Sequence, residues 1–413
     1  MLHKSNSIPM DYTDIQPLLN TFHRKLAATD LRFKRYLHGK IKWDVRLLGI
    51  KGARGTGKTT MLLQHIKETA GSSLDKVFYA SLDNMWFQTH SAEDLVEFLY
   101  TRGVTRIYLD EIHKYRSWTL LLKNLYDNYP DLSIVYTGSA MLAIDNSKSD
   151  LSRRQSLYTL HGLSFREYLE YEGITSLPSM TLEEILKNHV SYAMDVTSAG
   201  IKILKYFEQY LNEGYYPYYK EAGRDYLIRI GEVVQLVIDS DIPAVEETLT
   251  YATRQKIKKL LMVVAENVPL EPNINKLAAS LESTRDQTLK MLYWLDRAAL
   301  LLLLTDKTKD YKHLTGPKKI YLNNTNLMNS LGSRISKGTL RETFFANQVG
   351  AVSDLLIPRQ GDFIADGKYI FEVGGPQKTF DQIAGLPDSY LAIDGIEVGN
   401  GNRIPLWLFG CLY

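Results

Sequence analysis

The octapeptide Gly52-Ala53-Arg54-Gly55-Thr56-Gly57-Lys58-Thr59 constrains the fold of this 413-residue chain more than any other feature. It fits G-x-x-x-x-G-K-[ST] at every required position. Its context fits as well: the apolar run Val45–Ile50 reads as the preceding strand, and Thr60–Glu68 (TMLLQHIKE) as the following helix. Glycines let the backbone curl so that successive N–H groups face a phosphate, and the helix N-terminus adds its positive end. The residues from Gly52 to Thr60 are thus expected to line a triphosphate. Lys58 would reach the β- and γ-phosphates, and Thr59 would ligate Mg²⁺ through its hydroxyl.

Four short apolar runs, Val45–Ile50, Val77–Leu82, Arg106–Leu109 and Leu132–Tyr136, alternate with helical stretches. That alternation predicts a parallel sheet with helices on its faces. Ahead of it, Ile15, Leu18, Leu19, Phe22 and Leu26 recur at helical spacing and predict an N-terminal helix or helix pair within 14–38. The strand Arg106-Ile107-Tyr108-Leu109 delivers Asp110 and Glu111 at its C-terminal end, where ligands sit in open α/β sheets. Asp110 is expected to hold Mg²⁺, directly or through a water, and Glu111 to polarise the attacking water as general base. The run Ser133-Ile134-Val135-Tyr136-Thr137-Gly138-Ser139 ends in small hydroxyl residues beside a glycine. A polar side chain there would sense the γ-phosphate or position the water, with Ser139 favoured over Thr137. The chain has no N-K-x-D sequence, which favours ATP over GTP.

Taken in order, KGARGTGKTT, YLDEIHKY, IVYTGSA and LSRRQSLYTLHGLSFREYLEY resemble the AAA-type archaeal and bacterial ATPases that carry an uncharacterised C-terminal domain. Those proteins show a small-residue-plus-Arg step and, about nine residues on, a P-L-S-F-x-E-F-L string. Here Arg154 stands at the arginine, with Arg153 in the small residue's place. Gly162-Leu163-Ser164-Phe165-Arg166-Glu167-Tyr168-Leu169 stands for the string, with Gly162 replacing the proline. The resemblance spans essentially the whole chain and implies an ATPase using ATP and Mg²⁺. It also implies an arginine that reaches a γ-phosphate from the same or a neighbouring subunit, a task suited to a permanently charged guanidinium. Arg154 and Arg153 are the candidates.

The segment from about 165 to 245 reads as wholly helical. Residues 253 to 325 resemble a winged helix: TRQKIKKLLMVVAEN, NINKLAASL and TRDQTLKMLYWLDRA as helices, with Leu300–Leu304 and Lys319–Leu322 as wing strands. Ser283 is the expected cap of the third helix. Ten Lys/Arg against seven Asp/Glu over 253–310 make no basic stripe, so DNA contact rests on Thr284, Arg285, Gln287 and Thr288 alone. Further on, the helix bearing Glu342, then Asp362 in RQGDFIA and Glu372 in YIFEVGG, resemble the PD-(D/E)XK nuclease fold, in which such acids collect a metal ion. That fold's lysine position is occupied by Gly374, and Lys378 is the nearby substitute. A three-residue loop at Asp366-Gly367 would put Asp362 and Glu372 on one face of the sheet, and a two-residue loop on opposite faces. The apolar run Arg403–Tyr413 reads as a buried strand.

The fold class expected is therefore α/β. A P-loop core with N-terminal helices (1–165) and a helical extension (166–245) precede a winged-helix module (246–336) and a small nuclease-like domain (337–413). Lys+Arg (49) nearly balance Asp+Glu (47), which argues for neither nucleic acid nor a membrane surface on charge alone. Cys411 is the only cysteine, so no disulfide forms within the chain. No run nears the roughly 18 apolar residues that span a bilayer, and the expectation is a soluble, cytoplasmic protein. The function expected is an ATP-driven switch or remodeller, with a homo-oligomer and a DNA or protein partner open. An ATP-gated metal-dependent nuclease and a low-turnover signalling or scaffold protein are the alternatives.

Overall fold

The computed structural model describes residues 10–138, 151, 153–246, 249–306, 316–332 and 335–413. Two compact units emerge: Met1–Gly52 with Gly57–Leu160, and Ala53–Thr56 with His161–Tyr413.

The first unit opens with helix α1 (Tyr12–Ala28), fixed by a capping box in which Asp11 and Asp14 satisfy each other's backbone. Ile15, Leu18 and Phe22 form its buried stripe, and the second expected helix is a single turn at Tyr36–Gly39. Strands β1 (Leu47–Lys51), β2 (Val77–Ser81), β3 (Arg106–Asp110), β4 (Ser133–Gly138) and β5 (Ser156–Thr159) form one sheet in the order β2-β3-β4-β1-β5. Every pairing is parallel. The central strands are nearly continuous apolar runs, as burial on both faces demands. β5 was not foreseen: all four of its residues are half-buried at the sheet edge, so SLYT carries no apolar signature. Helix α2 (Lys58–Thr69) follows β1 and sends Met61, Leu62, Leu63 and Ile66 into a core shared with Leu48, Ile50, Tyr79, Tyr108 and Val135.

The second unit begins with a run of helices, the first of them α3 (Phe165–Tyr171), whose Ser164–Glu167 capping box marks its start. A π-turn at Val237–Asp241 interrupts the helical stretch. Helices α4 (Tyr251–Glu266), α5 (Ile274–Ser280) and α6 (Arg285–Arg297) then lead to an antiparallel pair, β6 (Leu301–Leu304) and β7 (Lys319–Leu322). The cap of α6 is Thr284, not Ser283. Thr284 is extended, accepts the Gln287 amide N–H at 3.2 Å, and is answered by the Gln287 side chain, a T-x-x-Q box that Ser283 cannot form one residue earlier. Helix α7 (Lys337–Gly350) packs on a mixed sheet of β8 (Leu355–Leu356), β9 (Phe363–Ala365), β10 (Tyr369–Gly374), β11 (Ser389–Ile393) and β12 (Arg403–Pro405), ordered β12-β11-β10-β9-β8. Phe345 of α7 sits 4.9 Å from the rings of Phe371 and Phe409. The terminal run is buried as expected, but only Arg403–Pro405 is strand. Pro405 offers no N–H to continue the ladder, and Leu406–Cys411 coils into 3₁₀ turns.

The expected divisions near 245 and 337 fall inside the second unit. Among the described residues no helix is long and apolar enough to cross a membrane.

Candidate functional site

Strand β1 ends at Lys51 and α2 begins at Lys58, so the loop between them has little room and needs unusual backbone angles. Gly55 (φ 84°) and Gly57 (φ 92°) supply them, and Gly57 is itself the helix cap. Within the loop Thr56 Oγ1 donates to the Ala53 carbonyl at 2.9 Å. The loop tip, Ala53–Thr56, groups with the second unit. There Arg54 Nη1 lies 3.4 Å from Asp241 Oδ2, and a Cβ on Gly55 would fall 2.5 Å from the Tyr218 ring. Neither Asp241 nor Tyr218 was foreseen, because nothing in the chain's local pattern marks loop contacts so distant, 187 positions for Arg54–Asp241.

Lys58 is buried and donates from Nζ to the Gly52 carbonyl at 2.9 Å, which folds the ammonium back along the loop. Thr59 Oγ1 donates to Asp110 Oδ2 at 2.7 Å, and Thr60 is exposed on the outside of α2. Thr59 and Asp110 thus present two adjacent hard oxygens beside a curled loop of amides, the donor set that Mg²⁺ takes together with phosphates. The residues present fit a Mg²⁺-nucleotide.

Asp110 accepts two more hydroxyls, Tyr79 on Oδ2 at 2.8 Å and Thr137 on Oδ1. Thr137 also accepts the Glu111 N–H at 3.1 Å. Among the described residues, the hydroxyl at the end of β4 that meets the acids is Thr137. Ser139, the residue favoured from sequence, lies outside the described residues, and alternation along β4 could not by itself choose between the two. Glu111 sits in the left-handed region (φ 53°, ψ 43°), a conformation that costs a side-chain-bearing residue about 1 kcal/mol and is found at functional sites. Its Oε2 is buried without a hydrogen-bond partner, 3.5 Å from His113 Nε2. His113, two residues on in DEIH, was missed although its spacing was visible. Beneath the loop helix, His65 Nδ1 meets the Tyr108 hydroxyl at 2.7 Å and its ring stacks on Trp43. Burial, with the nearby Arg106 charge, pushes the His65 imidazole down to about 4. Arg154 forks onto Asp127, with Nε–Oδ1 at 3.0 Å and Nη2–Oδ2 at 3.2 Å, while Arg153 is exposed.

The second cluster belongs to the C-terminal sheet. The turn Asp366-Gly367-Lys368 has three residues, and Ala365, Ile364 and Phe363 pair with Tyr369, Ile370 and Phe371. Asp362 therefore stands opposite Glu372 on one face, the outcome that a three-residue loop predicts. Asp362 Oδ2 accepts the Val373 N–H at 2.9 Å. Glu342 arrives from α7 and accepts the Tyr321 hydroxyl at 2.7 Å, with Lys319 Nζ 3.8 Å away. Burial and the Asp362 charge raise the Glu342 carboxyl above the usual range; burial also raises Glu372, opposed by its bond from Lys378 and reinforced by Asp362. Lys378 pairs directly with Glu372, its stem lying where a side chain on residue 374 would go: a Cβ on Gly374 would be 2.7 Å from Lys378 Cβ. As they stand, these acids do not form a metal-holding group, and among the described residues no set of three or more Asp, Glu, His or Cys does so. The ammonium groups of Lys378 and Lys319 already face two of the carboxylates. Lys319 and Tyr321, both on β7, were not anticipated.

Residues 44–169 match the model of the AAA domain family. With the phosphate loop, the paired acids and the parallel sheet, that match makes this stretch similar to AAA-type P-loop ATPase domains. Over an alignment 433 positions long the chain is 27% identical to the uncharacterized protein MJ1637 of Methanocaldococcus jannaschii, covering 92% of this chain and 89% of that protein. Solved structures that resemble it include the Walker-type ATPase PABY2304 of Pyrococcus abyssi (11% identity, TM-score 0.40, 72% of this chain and 95% of that one). The Aeropyrum pernix ORC1 protein, solved in complex with DNA, shares 14% identity at a TM-score of 0.30, over 79% of this chain and 93% of that one.

Proposed function

We propose that the protein is a Mg²⁺-dependent ATPase whose nucleotide state drives its C-terminal modules as a switch. The observation that carries this reading is the Thr59–Asp110 hydrogen bond of 2.7 Å, which ties the phosphate-loop helix to the carboxylate strand with Glu111 next in line. The loop amides would cradle the phosphates, and Lys58 would swing from the Gly52 carbonyl to the terminal phosphate oxygens. Thr59 and Asp110 would hold Mg²⁺, which supplies positive charge against the developing negative charge of phosphoryl transfer. Glu111, its Oε2 not engaged in a hydrogen bond, would take a proton from the attacking water. The test is ATP turnover with and without DNA, alongside the mass of the nucleotide-bound assembly by light scattering. Mg²⁺-dependent turnover supports the reading, and its absence in pure, folded protein defeats it.

A second reading, an ATP-gated nuclease, is favoured by Asp362 and Glu372 standing opposite each other with Lys378 beside them. For catalysis the Lys378 pair would have to open and admit a metal ion. Plasmid cleavage with Mg²⁺ or Mn²⁺ that Glu372→Ala abolishes would support it; intact plasmid would leave these acids as a contact scaffold.

A further inference from the structure

The Asp110 carboxylate is held by three hydroxyls, and one of them belongs to no nucleotide motif. Tyr79 lies on β2, opposite Tyr108 in the parallel register and two residues before the Ser81–Asp110 pair. It is 1% exposed, and its ring packs beside Phe22 of α1 at 5.9 Å. A phenylalanine would fill that space as well. Burying the extra hydroxyl costs free energy unless it finds a partner. Its partner is Asp110 Oδ2 at 2.8 Å, a charge-assisted bond stronger than a neutral one.

The phenol oxygen in turn accepts a bond from Lys25 Nζ at 3.1 Å, and the same ammonium sits 5.2 Å from the centre of the ring. A cation donating to the oxygen polarises the O–H and strengthens its donation onward. The links run from Lys25 in α1 to Tyr79 in β2, to Asp110 in β3, and to Thr59 in α2.

We propose that Tyr79, braced by Lys25, is a positioning residue that holds the Asp110 carboxylate in the orientation Mg²⁺ requires, making the N-terminal helix part of the metal site. The inference rests on the ATPase reading above. Were Thr59 to turn its hydroxyl to the ion, Asp110 would lose one donor, and the Tyr79 bond would remain to keep the carboxylate from rotating.

The test uses the full chain and a fluorescent ATP analogue, titrated in EDTA and over a range of Mg²⁺ concentrations, with thermal melting as the check on folding. In Tyr79→Phe, analogue affinity in EDTA stays at the unaltered value, while the Mg²⁺ concentration for half-maximal tightening rises about tenfold, the size expected for a lost bond to a charged group. In Lys25→Met the same midpoint rises less, about threefold, because Asp110 keeps its bond from Tyr79 and loses only the polarisation that Lys25 adds to it. An unmoved midpoint in both variants overturns the inference. So does an equal loss of affinity in EDTA, which would make Tyr79 a plain structural residue. If the unaltered chain binds no nucleotide in either condition, the ATPase reading fails first and takes this one with it; Mg²⁺-dependent binding that ignores Tyr79→Phe sinks this one alone.

Discussion

Two places in this molecule gather carboxylates and a lysine beside a sheet, and they are satisfied in opposite ways. At the phosphate loop the Asp110 carboxylate is held by hydroxyls from Thr59, Tyr79 and Thr137, while Lys58 turns to a backbone carbonyl. On the C-terminal sheet Glu372 is held by the ammonium of Lys378, and Lys319 stands near Glu342. Hydroxyl donors leave the carboxylate its charge and can yield to a divalent cation. An ammonium cancels that charge and competes with the cation directly. On the proposed reading, the difference separates a site that would receive metal and phosphate from one whose acids already face ammonium groups.

The sharpest break between the two comes from removing one carboxylate at each. Glu111→Gln should lower ATP turnover by about 100-fold or more, the usual worth of a positioned general base, with nucleotide affinity kept. Steady-state kinetics beside a binding titration reads both. An unchanged slow rate would mean that Glu111 activates no water. Glu372→Gln, in contrast, should leave that turnover where it was.

The lysines provide the next contrast, through stability. Glu372 is almost fully buried and Lys378 is partly exposed. Lys378→Ala should therefore cost about 2–3 kcal/mol in chemical denaturation, somewhat under the value for breaking a fully buried pair. Adding Glu372→Gln to that variant should recover most of the loss, because it removes the uncompensated charge. A double variant as unstable as the single one would show that packing over Gly374, not charge, is what Lys378 contributes.

Much of the first region was legible in the chain, and for a physical reason. A phosphate cradle needs glycine at fixed places and a lysine and hydroxyl at fixed offsets, so local sequence carries it from Gly52 to Thr59. Asp110 and Glu111 were legible because a strand end places them. The three-residue turn at Asp366 was open from sequence, and the register then decided that Asp362 and Glu372 share a face. What stayed hidden depends on neighbours distant in the chain. Tyr79 meets Asp110 only because β2 lies beside β3, Asp241 meets Arg54 across 187 positions, and Lys319 reaches Glu342 from β7. A run of hydroxyls gives no hint of which one faces the acids, so the sequence does not single out Thr137. The strand β5 escaped because an edge strand need not be apolar.

A smaller effect separates the two regions by pH. His65 is depressed from 6.5 to about 4 by burial, so the unfolded chain binds its proton first. Stability near α2 is full above about pH 6.5 and falls as the pH drops towards 4. Glu342 and Glu372 are shifted the other way, raised above the ordinary 4.5. Their contribution is fully present below that value and is lost as the pH rises through their folded values. Hydrogen exchange at pH 7 and pH 5 should show α2 loosening on acidification while β10 and α7 hold or tighten. His65→Gln should flatten the first response, and equal loosening of both regions would remove this contrast.

The most direct trial of the whole account is a calorimetric titration of ATP with Mg²⁺ into the unaltered chain and into Lys58→Ala. The account predicts saturable binding at one site per chain, tightened by Mg²⁺ and lost in the variant. Superimposable isotherms for the two proteins, or no binding by the unaltered chain, would contradict it.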